Sequence, residues 1–298
     1  MKFGKLAIFA LFLASVSGVW QNRAQAADLA SGAAGPQNHG LFHMVNVFSG
    51  TGVDNRVPMQ RSTASGLSPV GAVDDTVSHS YGTAFLISPC HVLTNYHVAL
   101  PTDRVSTSGA GSDLTFYIGG PSGGQPYTDN THARVVAWGN YVVNDGGRIH
   151  YMPINDWAVL KLDACLGARY GYMDLTPMPA PAVDALGLPL ATAGFPGDHA
   201  HDVLWGVHDC EIHATGFGAM WLHDCSTTEG SSGSPIFFRD ATGSVHVVAM
   251  VSAAIRDVHS VLSRYDSADA NVAVPIDGIY DRVQPFIETA PATRLPLT

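Results

Sequence analysis

With 25 acidic against 15 basic side chains in 298 residues, a formal net charge of −10, the chain has the wrong sign of charge to hold nucleic acid or an anionic membrane through its overall field. Its 31 glycines and 18 prolines punctuate short, β-branched apolar runs, which suits an all-β protein and excludes a bundle of long amphipathic helices.

Lys2 and Lys5 precede an apolar run from Leu6 to Val19, and Ala24-Gln25-Ala26 has the small-x-small form of a cleavage site. Residues 1–26 therefore read as a secretory signal, which predicts a secreted or periplasmic protein. The run is too short for a comfortable membrane span, and no other segment reaches about 18 apolar residues. Loss of the signal removes Lys2, Lys5 and Arg23 and leaves 12 basic and 25 acidic side chains, a charge of −13. Residues 27–65 follow as an N-terminal segment and possible propeptide. A first β-rich region, 66–166, holds the strands expected at Ala84–Ile87, Leu114–Ile118, Arg134–Trp138 and Trp157–Leu162. Between Gly167 and Pro189 four prolines (Pro177, Pro179, Pro181, Pro189) and little periodicity mark a linker, 167–189. The second region, 190–288, holds expected strands at Ile236–Phe238 and Val245–Ser252. It closes on a run from Ile276 to Val283 with helical apolar spacing, which Pro285 should cut short. Residues 289–298 form a tail, and no internal repeat is visible.

Three motifs carry chemistry. In Gly230-Ser231-Ser232-Gly233-Ser234-Pro235 two serines stand between two glycines, the second of them, Ser232, directly before Gly233. A serine hydroxyl is a poor nucleophile until a base takes its proton and backbone N–H groups hold the oxyanion it creates. Gly230 leaves its N–H unobstructed, and Gly233 lets the chain turn sharply behind Ser232. The base is His97, in Leu93-Thr94-Asn95-Tyr96-His97-Val98. The acid is Asp156, which opens an apolar strand in Asn155-Asp156-Trp157-Ala158-Val159-Leu160. Taken singly, the serine loop is a common flexible turn, the histidine is one of 14, and an aspartate before a strand is usually a turn residue. Their joint order, His, Asp, Ser, is that of the chymotrypsin scaffold and not of subtilisin or the α/β-hydrolases.

At these residues the chain resembles the chymotrypsin-like serine peptidases, and within them the bacterial glutamyl-endopeptidase-like branch. Leu93 to Val98 resembles that branch's LTN-x-HV better than the animal enzymes' TAAHC. Gly194-Phe195-Pro196-Gly197-Asp198 resembles its GYPGD, and Asp54-Asn55-Arg56 its DDR or DNR segment. The likeness runs from about Val53 to Val283. It implies two antiparallel six-stranded β-barrels, the first over 66–166 and the second over 190–288, with a short C-terminal helix packed on the second. It also implies His97, Asp156 and Ser232 as catalytic residues, the N–H groups of Gly230 and Ser232 as the oxyanion hole, and an extended protein or peptide substrate bonded to Ser252-Ala253-Ala254 as an added strand. Neither cofactor nor metal takes part in that chemistry, and a monomer is expected. Two departures stand out. Ser231 occupies the place where trypsin-like zymogens use an aspartate to capture a new N-terminal amine, so activation by that route is not expected. Ser226 is the expected floor of the S1 pocket and is neutral. Thr227 matches a threonine the branch uses on a substrate carboxylate, but its carboxylate-binding histidine aligns with Val251, so glutamate specificity is only half supported.

Four cysteines in an exported chain favour two disulfides. Chain order and strand geometry pair Cys90 with Cys165 and Cys210 with Cys225; a cross-barrel bond is disfavoured because each barrel must close first. The repeated His-Asp-Cys at 208–210 and 223–225 leaves a Cys₂His₂ zinc site as the alternative. Alternatives to the peptidase are a catalytically silent peptide-binding homologue, which an intact triad disfavours, and an esterase using the same three groups.

Overall fold

The computed structural model describes residues 46–49, 51–100, 113–119, 127–145, 148–216, 219–255, 261–262 and 264–287. The expected signal at 1–26, the rest of the chain before Asn46 and the tail lie outside these residues. Two compact units are present. The described part of the smaller, within 142–152, is an antiparallel hairpin of Val142–Asp145 with Arg148–Tyr151. The other, 40–141 and 153–298, holds everything considered below.

Six strands of the larger unit close a barrel: β1 (Val70–Asp75), β2 (Ser80–Ser88), β3 (His91–Thr94), β4 (Leu114–Ile118), β5 (Asp129–Trp138) and β6 (Ala158–Leu162). The order is β6-β3-β2-β1-β4-β5, with β5 returning to β6. Each strand expected in this region lies within, or within one residue of, an observed one. The unbroken apolar run Ala84–Ile87 has a simple cause, since both faces of β2 are buried. Ala84 and Leu86 point into the barrel with Val73, Val92, Phe116 and Leu160. Phe85 and Ile87 point the other way and pack with Leu93, Val159, Met173, Phe195 and Met250.

Seven further strands belong to a second sheet, β7 (Leu190–Gly194), β8 (Trp205–Cys210), β9 (Ile212–Gly216), β10 (Met220–His223), β11 (Pro235–Arg239), β12 (Val245–Ala254) and β13 (Asn271–Pro275), while Val47–Phe48 pairs separately and in parallel with Val261–Leu262. The pairing order is β9-β10-β13-β12-β11-β7-β8, extended beyond β8 by Val57–Pro58, while Asp174–Leu175 adds parallel to β12. Unlike the first barrel, this sheet does not close by strand pairing among the described residues, so the second six-stranded barrel expected from the resemblance is not itself shown. No pairing joins β8 to β9 among the described residues, but the two are consecutive in the chain with only Glu211 between them. The break follows Asp209, whose φ of 62° lies in the left-handed region that aspartate tolerates better than most residues. The residues 167–189 expected as linker carry helical turns at Gly167–Tyr170 and Ala180–Asp184 besides the short strand. The terminal helix spans Ile276–Val283 and buries Ile276, Ile279 and Val283 on one face. Pro285 falls in the 3₁₀ turn Gln284–Phe286 that ends it. Among the described residues no helix is long and apolar enough to cross a membrane.

Candidate active site

The barrel's register brings the first two residues together. Ala158 of β6 stands opposite Thr94 of β3, so the residues just before β6 and just after β3 emerge at the same end. After β3 the chain makes one helical turn, Tyr96–Ala99, which carries His97; before β6 the 3₁₀ turn Pro153–Asn155 delivers Asp156. His97 Nδ1 lies 2.8 Å from Asp156 Oδ2, and the His97 backbone N–H donates to Oδ1 at 3.1 Å. Asn95 Nδ2 donates to the Asp156 carbonyl at 2.8 Å, so Asn95 ties the histidine's turn to the aspartate's backbone. Asp156 is only 1% exposed. A carboxylate can only accept, which places the shared proton on Nδ1 and leaves Nε2 as the basic nitrogen of the neutral ring.

Ser232 comes from the turn between β10 and β11, where the N–H of Ser231 donates to the Thr228 carbonyl and that of Ser234 to the Ser231 carbonyl, both at 2.9 Å. Gly230 and Gly233 have φ of +87° and +88°, and a Cβ on Gly233 would stand 1.9 Å from the Thr83 carbonyl oxygen. No other residue fits there. Strand β2 fastens the loop from outside: the Thr83 N–H donates to the Ser232 carbonyl at 2.8 Å, and Thr83 Oγ1 to the Gly230 carbonyl at 3.0 Å. Among the described residues the N–H groups of Gly230 and Ser232 donate to nothing, and unspent donors are what an oxyanion site needs.

Ser252 joins the halves. Its carbonyl accepts the Ser232 hydroxyl at 3.1 Å, while its own hydroxyl donates to Asp156 Oδ2 at 2.6 Å. His97 and Asp156 are thus bonded to each other, and Ser232, 76 positions beyond Asp156, is linked to that pair through Ser252 of β12, whose carbonyl takes its hydroxyl bond. Pairing of β12 with β11 ends at Met250. Among the described residues the edge of Ser252-Ala253-Ala254 on that side has no strand neighbour.

The expected S1 residues are placed less openly. Ser226 Oγ donates to the Phe48 carbonyl and accepts the Phe48 N–H, both at 2.9 Å. The N–H of Thr227 donates to the Asn46 carbonyl at 3.1 Å, and Thr227 Oγ1 accepts Asn271 Nδ2 at 3.0 Å. Val251 is fully buried in an apolar cluster with Trp221, Cys225 and Ile236. Sequence reasoning did not single out Asn46, Phe48 or Asn271. The available signal was Asn271 itself, a polar residue leading the apolar strand Asn271–Pro275.

Cys90 pairs with Cys165 and Cys210 with Cys225, at Cα separations of 4.1 and 4.7 Å. The sulfurs of the Cys₂His₂ alternative are therefore committed to each other. Asp54, Asp198 and His199 have ligand atoms within 4.8 Å of one another, but the Arg56 guanidinium already bonds both carboxylates. A fixed cation there makes the cluster a poor metal site.

A closed antiparallel barrel, a buried aspartate–histidine pair and a glycine-flanked serine on a second sheet define the class of a serine peptidase of the chymotrypsin-like fold. The model of the trypsin-like peptidase domain matches residues 82–250, more than half of the chain. The chain belongs to that family and is a serine endopeptidase, a hydrolase. Its structure is similar to that of a Glu endopeptidase in complex with MPD (TM-score 0.52, 19% identity, 78% of this chain and 97% of that one). Lower scores relate it to the Rv3671c protease of M. tuberculosis H37Rv, Ser343Ala mutant, inactive form (0.46, 19% identity, 75% and 89%) and to Deg5 (0.45, 19% identity, 74% and 90%). Among curated proteins no relative matches.

Proposed function

We propose that the chain is an exported, monomeric endopeptidase that cleaves peptide bonds through an acyl-enzyme on Ser232. His97 Nε2 takes the Ser232 proton as Oγ attacks the substrate carbonyl, and the N–H groups of Gly230 and Ser232 hold the resulting oxyanion. Asp156 keeps the imidazole in one tautomer and stabilises its cationic form. That proton then passes to the leaving amine, and water, activated by the same His97, hydrolyses the ester. The substrate backbone adds as a strand beside Ser252-Ala253-Ala254. The observation that carries the reading is the contact of Ser252 with both Ser232 and Asp156. Export through the 1–26 signal is supported by two disulfides, which persist in oxidising compartments.

For specificity we propose a neutral residue of moderate size at the cleaved position, with no strong preference for glutamate. The Ser226 and Thr227 hydroxyls are engaged by Phe48 and Asn271, and Val251 offers no charge. A neutral hydrogen bond to a substrate carboxylate is worth about 1.5–3 kcal/mol, against a desolvation cost of several. The test is fluorophosphonate labelling, with Ser232→Ala as control, followed by digestion of a random peptide library. Ester turnover without peptide cleavage would favour the esterase, and absence of labelling the silent homologue. Cutting almost only after glutamate would overturn the specificity.

A further inference from the structure

We infer that Arg56 is a positioning residue for the oxyanion hole, holding the nucleophile loop from outside with a positive charge, which the loop itself lacks. The inference rests on the reading of Ser232 as nucleophile. Ser231 is uncharged, and the loop from Thr228 to Ser234 carries one acid, Glu229, and no basic residue to pair with it. Arg56 supplies one. Its side chain is 3% exposed and every N–H of its guanidinium has an acceptor. Nη1 and Nη2 bond Asp198 Oδ1 and Oδ2 at 3.0 and 2.5 Å, Nε and Nη2 bond Asp54 at 3.1 and 2.7 Å, and Nη1 also donates to Thr228 Oγ1 at 2.6 Å. The Thr228 hydroxyl passes its own proton on to Asp198 Oδ1 at 2.5 Å.

From Thr228 the constraint runs to Ser231, which stands between Gly230 and Ser232. The Thr228 carbonyl accepts the Ser231 N–H at 2.9 Å, and its N–H donates to Ser231 Oγ at 3.3 Å, which closes the turn carrying Gly230. A second strut leaves the same Asp198 loop, where the Gly197 N–H donates to the Glu229 carbonyl at 2.6 Å. Arg56 is itself held, because the next two residues, Val57–Pro58, pair with β8. The planar fork matters: lysine keeps the charge but has three donors on one atom and cannot serve two carboxylates in a bidentate way and a hydroxyl as well.

The experiment compares Arg56→Lys, Thr228→Val and the double variant with the unmodified chain on one peptide that the latter cleaves, with active sites counted by fluorophosphonate titration. Thr228→Val keeps the Arg56 ion pairs and removes the hydroxyl's two bonds, from Arg56 and to Asp198, that link them to the loop, so it remains informative if Arg56→Lys folds poorly. We expect kcat per titrated site to fall about tenfold in Thr228→Val and more in Arg56→Lys, with KM changed less than about threefold. The double variant should be little worse than Arg56→Lys, since both act through one contact. A lower melting temperature with unchanged kcat per titrated site would make Arg56 purely structural and overturn the inference. If the unmodified chain is not labelled at Ser232, the nucleophile reading fails and takes this inference with it; labelling with unchanged kcat in the variants sinks this inference alone.

Discussion

His223 offers a prediction whose size follows from the structure. It ends strand β10, two residues before Cys225 and three before Ser226, and burial pushes its imidazole down to about 4. In the unfolded chain the same ring takes up its proton near its ordinary value of about 6.5. Between these values the unfolded state binds the extra proton, so stability is fully present above pH 6.5 and is lost as pH falls towards 4. A difference of roughly 2.5 units at 1.36 kcal/mol per unit makes the loss about 3 kcal/mol. Asp54 and Asp198 act below this window. Burial alone would raise their carboxyls, but the Arg56 hydrogen bonds and charge outweigh it, so both lie under the usual value and lose their contribution only in stronger acid. Urea unfolding with disulfides intact, followed from about pH 7 to about pH 4.5, should show His223→Leu losing about 2 kcal/mol less than the unmodified chain, the part of the full difference that falls within that interval. Parallel pH curves for the two would mean that His223 does not titrate as its burial requires, and the reasoning would be wrong.

Three further outcomes are expected. Ser232→Ala should abolish turnover and leave the fold intact, and His97→Ala should be nearly as damaging; either keeping more than about a hundredth of normal kcat would contradict the assigned roles. Ser252→Ala removes the hydroxyl that donates to Asp156 Oδ2. A hydrogen bond to a charge is worth about 1.5–3 kcal/mol, so steady-state kinetics should show kcat down by about ten- to a hundredfold with KM little altered, and an unchanged kcat would count against the aspartate's role. Replacing Cys90 and Cys165 by serine opens a closure of 75 residues, and replacing Cys210 and Cys225 one of 15. Chain entropy puts the losses at about 4 and about 3 kcal/mol, and a larger loss from the shorter closure in denaturant titrations would refute that account.

Much of the site was legible in the chain because chemistry restricts it to few residue types. The proposed nucleophile loop needs glycine where φ is positive, as at Gly230 and Gly233, and the order of His97, Asp156 and Ser232 along the chain is what suggests the roles proposed for them. Strands such as Leu114–Ile118, and the helix Ile276–Val283, were visible because burial imposes periodicity on adjacent residues. What tertiary structure decided are contacts between residues far apart, for which neighbouring residues carry no signal. Ser252 appeared in the sequence as backbone for a substrate, and only the packing of β12 aims its hydroxyl at Asp156. Ser226 appeared as an open pocket floor, and only the fold brings Phe48 onto it across 178 positions. Arg56 and Thr228, 172 apart, meet because a guanidinium removed from water must find acceptors wherever the fold supplies them. Local pattern determined which groups could react; the closing of distant chain around buried polar atoms determined how they are held.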